Sequence, residues 1–84
     1  MDLKESLEKD LTNLGFSWFQ IKQIKIGLEK GLDVSIYAQL DFNYSQMQEI
    51  RFGLEKGLDV SPYLNPSIDW KEMRAIRKKL WSKK

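Results

Sequence analysis

Apolar residues return along this chain at helical spacing in four separate stretches. Leu3, Leu7, Leu11 and Leu14 form the first stripe, closed by Gly15. Ile21, Ile24 and Leu28 form the second, Met47, Ile50 and Leu54 the third, and Met73, Ile76 and Leu80 the fourth. Each of the last three follows the spacing i, i+3, i+7, which sets its members on one face of a helix. The pattern predicts an all-α fold whose helices bury one stripe each.

The stripes belong to a repeat. Aligning residues 16–41 with 42–67 gives 13 identities in 26 positions without a gap. The block from Gly27 to Ser35 returns intact from Gly53 to Ser61, and a partial third copy begins at Ile68. That copy keeps Met73, Ile76, Arg77 and Leu80, and carries Lys79 and Lys83 where the others have glycines. Repetition at such a period marks stacked supersecondary units, each packing on its neighbours.

Every copy opens with the same helix-start chemistry. Ser17 to Gln20, Asn43 to Gln46 and Asp69 to Glu72 each read as a capping box. A short polar side chain accepts from the third helical N–H, and Gln or Glu reaches back. Apolar residues flank each box as a hydrophobic staple, Phe16 with Ile21, Phe42 with Met47 and Ile68 with Met73. Gly31 and Gly57 stand where a helix ends on a residue of positive φ, followed by Leu32 and Leu58. The segments Asp33 to Tyr37 and Asp59 to Tyr63 each predict one short helical turn, the second with Ser61 as N-cap and Pro62 as first helical residue. Asn65-Pro66 ends it. The Gly-x-x-x-Gly spacing of Gly27/Gly31 and Gly53/Gly57 reads as close packing and helix termination. Asp33, Asp41 and Asp59 read as cap or turn residues, not as a calcium loop.

The expected architecture is a single small helical-repeat bundle. It comprises an N-terminal cap helix (1–15), two helix-plus-short-turn repeats (16–41 and 42–67) and a terminal capping helix (68–84). Eighty-four residues suffice for one small core and no second domain. The net charge of +2 is unevenly placed. Residues 1–15 carry two Lys against four acids, whereas residues 68–84 carry seven Lys or Arg against two acids. The basic character therefore belongs to the last segment, which points to an acidic partner there or to a soluble end cap favoured by the helix dipole.

The second copy, Gln46-Met-Gln-Glu-Ile-Arg-Phe-Gly-Leu-Glu-Lys-Gly-Leu-Asp-Val60 at its centre, resembles short helical repeats in uncharacterised proteins of Gram-positive mobile genetic elements (plasmids, conjugative elements and phages). The resemblance covers about residues 16–80; the first copy departs from it, with Ile21 for Met and Gln23 for Glu. It carries no assigned activity and so no functional residue. What it implies is a setting in which small proteins act as accessory binders or as inhibitors of host defence.

Two surfaces are candidates for function. At 100° per residue from the core stripe, Trp18, Lys22 and Lys25 share a flank. Tyr44, Gln48 and Arg51 repeat it, and so do Trp70, Arg74 and Arg77, extended by Trp81, with Lys78 of the same segment as a further candidate contact. Aromatic residues beside cations suit the bases and phosphates of nucleic acids. The same spacing also suits rings that fill the grooves between units while Lys and Arg stems cover them. Nearly opposite the stripe lie Phe19, Ile26 and Phe52, either packing on a neighbouring helix, docking a protein or joining copies of the chain.

Chemistry finds little support. The chain has no Cys and no His, which removes thiolate ligands, cysteine nucleophiles and the commonest general base. None of its serines has a histidine to activate it, and no glycine-rich loop cradles a phosphate. The expectation is therefore no catalytic residue, no cofactor and no metal. No apolar run reaches the roughly 18 residues of a membrane span, and the start lacks signal-peptide character, so a cytoplasmic protein without membrane contact is expected. The expected function is non-catalytic protein binding, with a host defence nuclease as target in an anti-CRISPR-like or anti-restriction role. An accessory nucleic-acid-binding protein is the alternative.

Overall fold

A computed structural model describes residues 3–82 of the chain and the side chains from Ser6 onward; Lys83 and the Leu3 side chain lie outside the described residues. Four helices follow one another: α1 (Leu3–Asn13), α2 (Trp18–Glu29), α3 (Tyr44–Glu55) and α4 (Trp70–Ser82). One 3-10 turn, Val34–Ile36, lies between α2 and α3, and a second, Ser61–Tyr63, between α3 and α4. Consecutive helices pack side by side, and the array measures 45 × 24 × 15 Å. No strand occurs among the described residues, and none of their helices is long and apolar enough to cross a membrane.

Local chemistry sets these boundaries. The boxes at Ser17 and Asn43 are both formed, with the N–H of Gln20 and of Gln46 donating to the cap side chain at 3.2 and 2.8 Å. The same glutamines reach further. Gln20 donates its amide to the carbonyl of Phe42 at 2.7 Å, and Gln46 donates to those of Pro66 and Ile68 at 2.9 and 2.7 Å. One residue thus caps its own helix and ties it to the start of the next. In α4 the equivalent residue is Glu72, which has no N–H to give.

At the other end Gly31 and Gly57 take φ of 72° and 70°. Leu32 N–H returns to the Gly27 carbonyl at 2.9 Å and Gly31 N–H to Leu28 at 3.1 Å, the paired bonds of a Schellman ending. Gly57 and Leu58 repeat them. In the short turns Asp33 and Asp59 accept the N–H groups of Ser35 and Ser61. Ser61 is consequently the first residue of its turn and not the cap. Val60 takes the cap position, and Pro62 lies one place later than expected.

The core runs through all the units. Ile21 and Ile24, Met47 and Ile50, and Met73 are buried as their stripes predict, joined by Phe16, Phe42 and Val60. Two further members come from the short turns that follow α2 and α3. Tyr37 and Tyr63 are completely buried, each lying over a glycine of the preceding helix and donating its hydroxyl to a helix carbonyl, Gln23 at 2.7 Å and Glu49 at 3.2 Å. A Cβ at Gly53 would collide with the Tyr63 hydroxyl and stand 2.7 Å from Val60 Cγ1. In α4 the equivalent residue is the exposed Lys79.

The stripes also fail in part. Leu14 and Leu28 were expected inside but are 64% and 44% exposed. Both stand in or just past the last turn of a helix at the N-terminal end of the array. Among the described residues α1 packs on this side of α2, and no 3-10 turn lies between the two helices.

Gly53→Ala is expected to destabilise the fold by about 2 kcal/mol. Overpacking at a fully enclosed site costs about 3 kcal/mol, and the better helix propensity returns about 1. Gly31→Ala meets no neighbour within 4 Å and strains only the positive φ, at about 1 kcal/mol. Thermal melts followed by circular dichroism should place Gly53→Ala on the order of 10 °C below wild type and Gly31→Ala about half as far. Equal shifts would mean that Tyr63 can move aside.

Candidate functional site

Trp18, Tyr44 and Trp70 are the first residues of α2, α3 and α4. Trp18 and Tyr44 are 67% and 47% exposed and Trp70 is half-buried. Phe19, 56% exposed, bridges the first two. Its ring meets Trp18 edge-on with centroids 5.4 Å apart and lies tilted on Tyr44 at 5.3 Å. Lys22 Nζ stands 5.4 Å from the Trp18 ring centroid. Three large rings are therefore gathered on the surface where α2 meets α3.

The cations expected beside these rings divide into two sets. Lys25, Arg51 and Arg77 turn toward the preceding helix and are used between helices. Lys25 pairs with Glu8 of α1. Arg51 is only 7% exposed; its Nε donates to Gln23 Oε1 at 3.0 Å and its Nη1 to Glu55 Oε2 at 2.7 Å. Arg77 Nε donates to Glu49 Oε1 at 3.1 Å. At this angle a long side chain reaches the polar seam between helices, where Gln23 and Glu49 are themselves buried. The continuous basic flank predicted through Arg51 and Arg77 is corrected accordingly. Lys22, Arg74 and Lys78 remain exposed, and Trp81 lies under Lys56 Nζ at 4.6 Å.

The predicted apolar patch also separates. Phe19 belongs with Trp18 and Tyr44. Ile26 is half-buried in a groove of ≈ 310 Å³ between α1 and α2 that Trp18 and Lys22 also line. Phe52 is half-buried beneath the guanidinium groups of Arg51 and Arg77, 4.8 and 5.4 Å from its centroid. A guanidinium cation held over the ring is attracted to its negative face.

A second groove, ≈ 350 Å³, opens between α3 and α4. Tyr44, Phe52 and Trp70 supply its aromatic surface, and Ser45, Gln48 and Arg74 its polar edge. Sequence reasoning did not find it, although its cause can be read in the repeat, because Ser45 occupies the position of Phe19. Among the described residues no buried side-chain polar atom lacks a partner, and no three acidic groups gather as a metal site. The arrangement offers aromatic area for contact, edged by a few cations. No protein-family model matches the chain, and neither the curated proteins nor the solved structures provide a match.

Proposed function

We propose that this chain is a non-catalytic protein-binding module that docks through Trp18, Phe19 and Tyr44. The observation that carries the reading is the exposure of these three rings, 67%, 56% and 47%, in mutual contact at one place. Large rings left in water forgo the gain from burial, and clustered exposed aromatics recur as the anchors of protein interfaces. Two of the cations that would have tracked a phosphate backbone, Arg51 and Arg77, are instead committed between helices, which favours this reading over nucleic-acid binding.

The resemblance of the repeats to those of mobile elements extends the proposal to a target. The partner is a host defence nuclease, and inhibition is stoichiometric, by covering a working surface. The test compares capture from a Gram-positive bacterial lysate by wild type and by Trp18→Ala/Phe19→Ala, both checked for unchanged helicity. Anchor residues cost about 2 kcal/mol or more on truncation, so a partner held at physiological salt should be lost from the variant. Identical capture by both proteins would remove the aromatic cluster as the docking site. Tight binding of single-stranded DNA at physiological salt, lost in Arg74→Glu/Lys78→Glu, would replace the reading with the nucleic-acid one.

A further inference from the structure

The two inter-helix positions that should be alike differ in one residue. Between α2 and α3, Phe19 lies on Tyr44. Between α3 and α4 the acceptor ring persists as Trp70, but the residue facing it in the repeat is Ser45, and the groove of ≈ 350 Å³ is open there. Its volume is at the low end of ligand clefts, which run from about 300 to 1,000 Å³. The missing group is a single aromatic side chain.

Charge narrows the occupant further. Glu49 and Arg77 meet each other within the groove and cancel. Arg74 is exposed at its edge and makes no ion pair among the described residues. Lys71 and Lys78 are exposed on the same helix, and residues 68–84 carry seven cations against two acids. We propose that the α3/α4 groove receives an aromatic side chain from an acidic segment of the protein partner. The ring takes the place on Trp70 that Phe19 takes on Tyr44, and a neighbouring carboxylate meets Arg74. The proposal rests on the protein-binding reading and names the chemistry of its partner. A peptide is favoured over a nucleic acid because the exposed cations Lys71, Arg74 and Lys78 are confined to α4, and a phosphate backbone needs a track that continues across the groove. Here α3 presents Gln48 at the position of Arg74, and Arg77 is already paired.

The test is an NMR titration of the isotope-labelled chain with the capped peptide Asp-Glu-Phe-Glu-Asp, its alanine counterpart Asp-Glu-Ala-Glu-Asp, and oligothymidylate. The phenylalanine peptide should give saturable shifts at Ser45, Trp70 and Arg74 below about 1 mM. The alanine peptide should bind at least about tenfold more weakly. Ser45→Phe places in α3 the residue that α2 carries at this position, so it should keep the fold, checked by circular dichroism, and block the peptide. Arg74→Glu should weaken binding by about tenfold or more.

Absence of saturable shifts at these residues, equal binding of the two peptides, or unaltered binding by Ser45→Phe would each overturn the proposal. So would oligothymidylate binding there more tightly than the peptide. If peptide binding fails while lysate capture still depends on Trp18 and Phe19, the groove inference falls alone. If the peptide binds but capture does not depend on those rings, the aromatic-cluster reading falls and the groove stands.

Discussion

Arg77→Ala is expected to destabilise the fold by about 3 kcal/mol, and Glu49→Gln by only about 1 to 2. Arg77 and Glu49 are 12% and 7% exposed, so removing the guanidinium leaves a carboxylate in the seam without its cation. The reverse change is milder because the preceding seam already works with an amide. There Gln23 accepts from Arg51, and the balancing carboxylate is Glu55 on the arginine's own helix. In α4 the residue equivalent to Glu55 is Trp81, so the negative charge has moved across the seam to Glu49. A Gln at position 49 would still accept from Arg77 Nε, and the guanidinium would keep its place over Phe52. Urea unfolding followed by circular dichroism, with unchanged m-values, gives the two costs. If Glu49→Gln costs as much as Arg77→Ala, an amide does not stand in for the carboxylate, and the charge of Glu49 itself is needed at this seam. For a chain of this size about 3 kcal/mol is a large part of the total, so Arg77→Ala should be partly unfolded near its working temperature.

Alkaline pH is expected to unfold the chain through two residues. Burial pushes the hydroxyls of Tyr37 and Tyr63 up from 10.0 to about 12, with a nearby arginine, Arg51 or Arg77, opposing the shift in part. Below pH 10 both phenols are protonated in folded and unfolded chains alike, and their stabilisation is fully present. As pH rises from 10 toward 12, the unfolded chain ionises first, and stability falls by about 1.4 kcal/mol per pH unit for each tyrosine. Over the window that is on the order of 2–3 kcal/mol apiece. The comparison is with Tyr37→Phe/Tyr63→Phe. That variant loses two hydroxyl hydrogen bonds at neutral pH, about 1 kcal/mol each, but should lose less on going from pH 10 to 12. Melting curves at stepped pH measure the difference in slope. Parallel slopes for the two proteins would show that the phenols do not carry the alkaline transition.

The repeat, both formed capping boxes and the glycine endings were legible because each is a local agreement between neighbouring residues. Ser17 needs only Gln20 three places on, and Gly31 needs only its own φ. The seam was not legible in the same way. Arg51 sits at an angle where a side chain can point to solvent or to the preceding helix, and nothing in its own repeat decides between them. The deciding residue, Gln23, is 28 positions earlier. Read across copies, the signal existed: a polar residue recurs at Gln23 and Glu49 beside the core stripe, where an apolar one would be expected. The same holds for Gly27 with Tyr37 and Gly53 with Tyr63. Each glycine leaves room for a ring ten residues later. For Leu28, helical spacing correctly assigns a face, but a face is buried only if the neighbour is long enough to cover it.

None of the three tryptophans is buried, and the fully buried rings of the core are tyrosine and phenylalanine. Indole emission in this protein is consequently an optical gauge of its surface. Trp18 and Trp81 are already substantially hydrated in the native state, so unfolding changes their surroundings less than docking would. A ligand settling on Trp70, or a partner closing over Trp18, would shift the emission to the blue and shield it from a soluble quencher. Single-tryptophan variants would then report separately on the surroundings of Trp18 and of Trp70, with no dye attached.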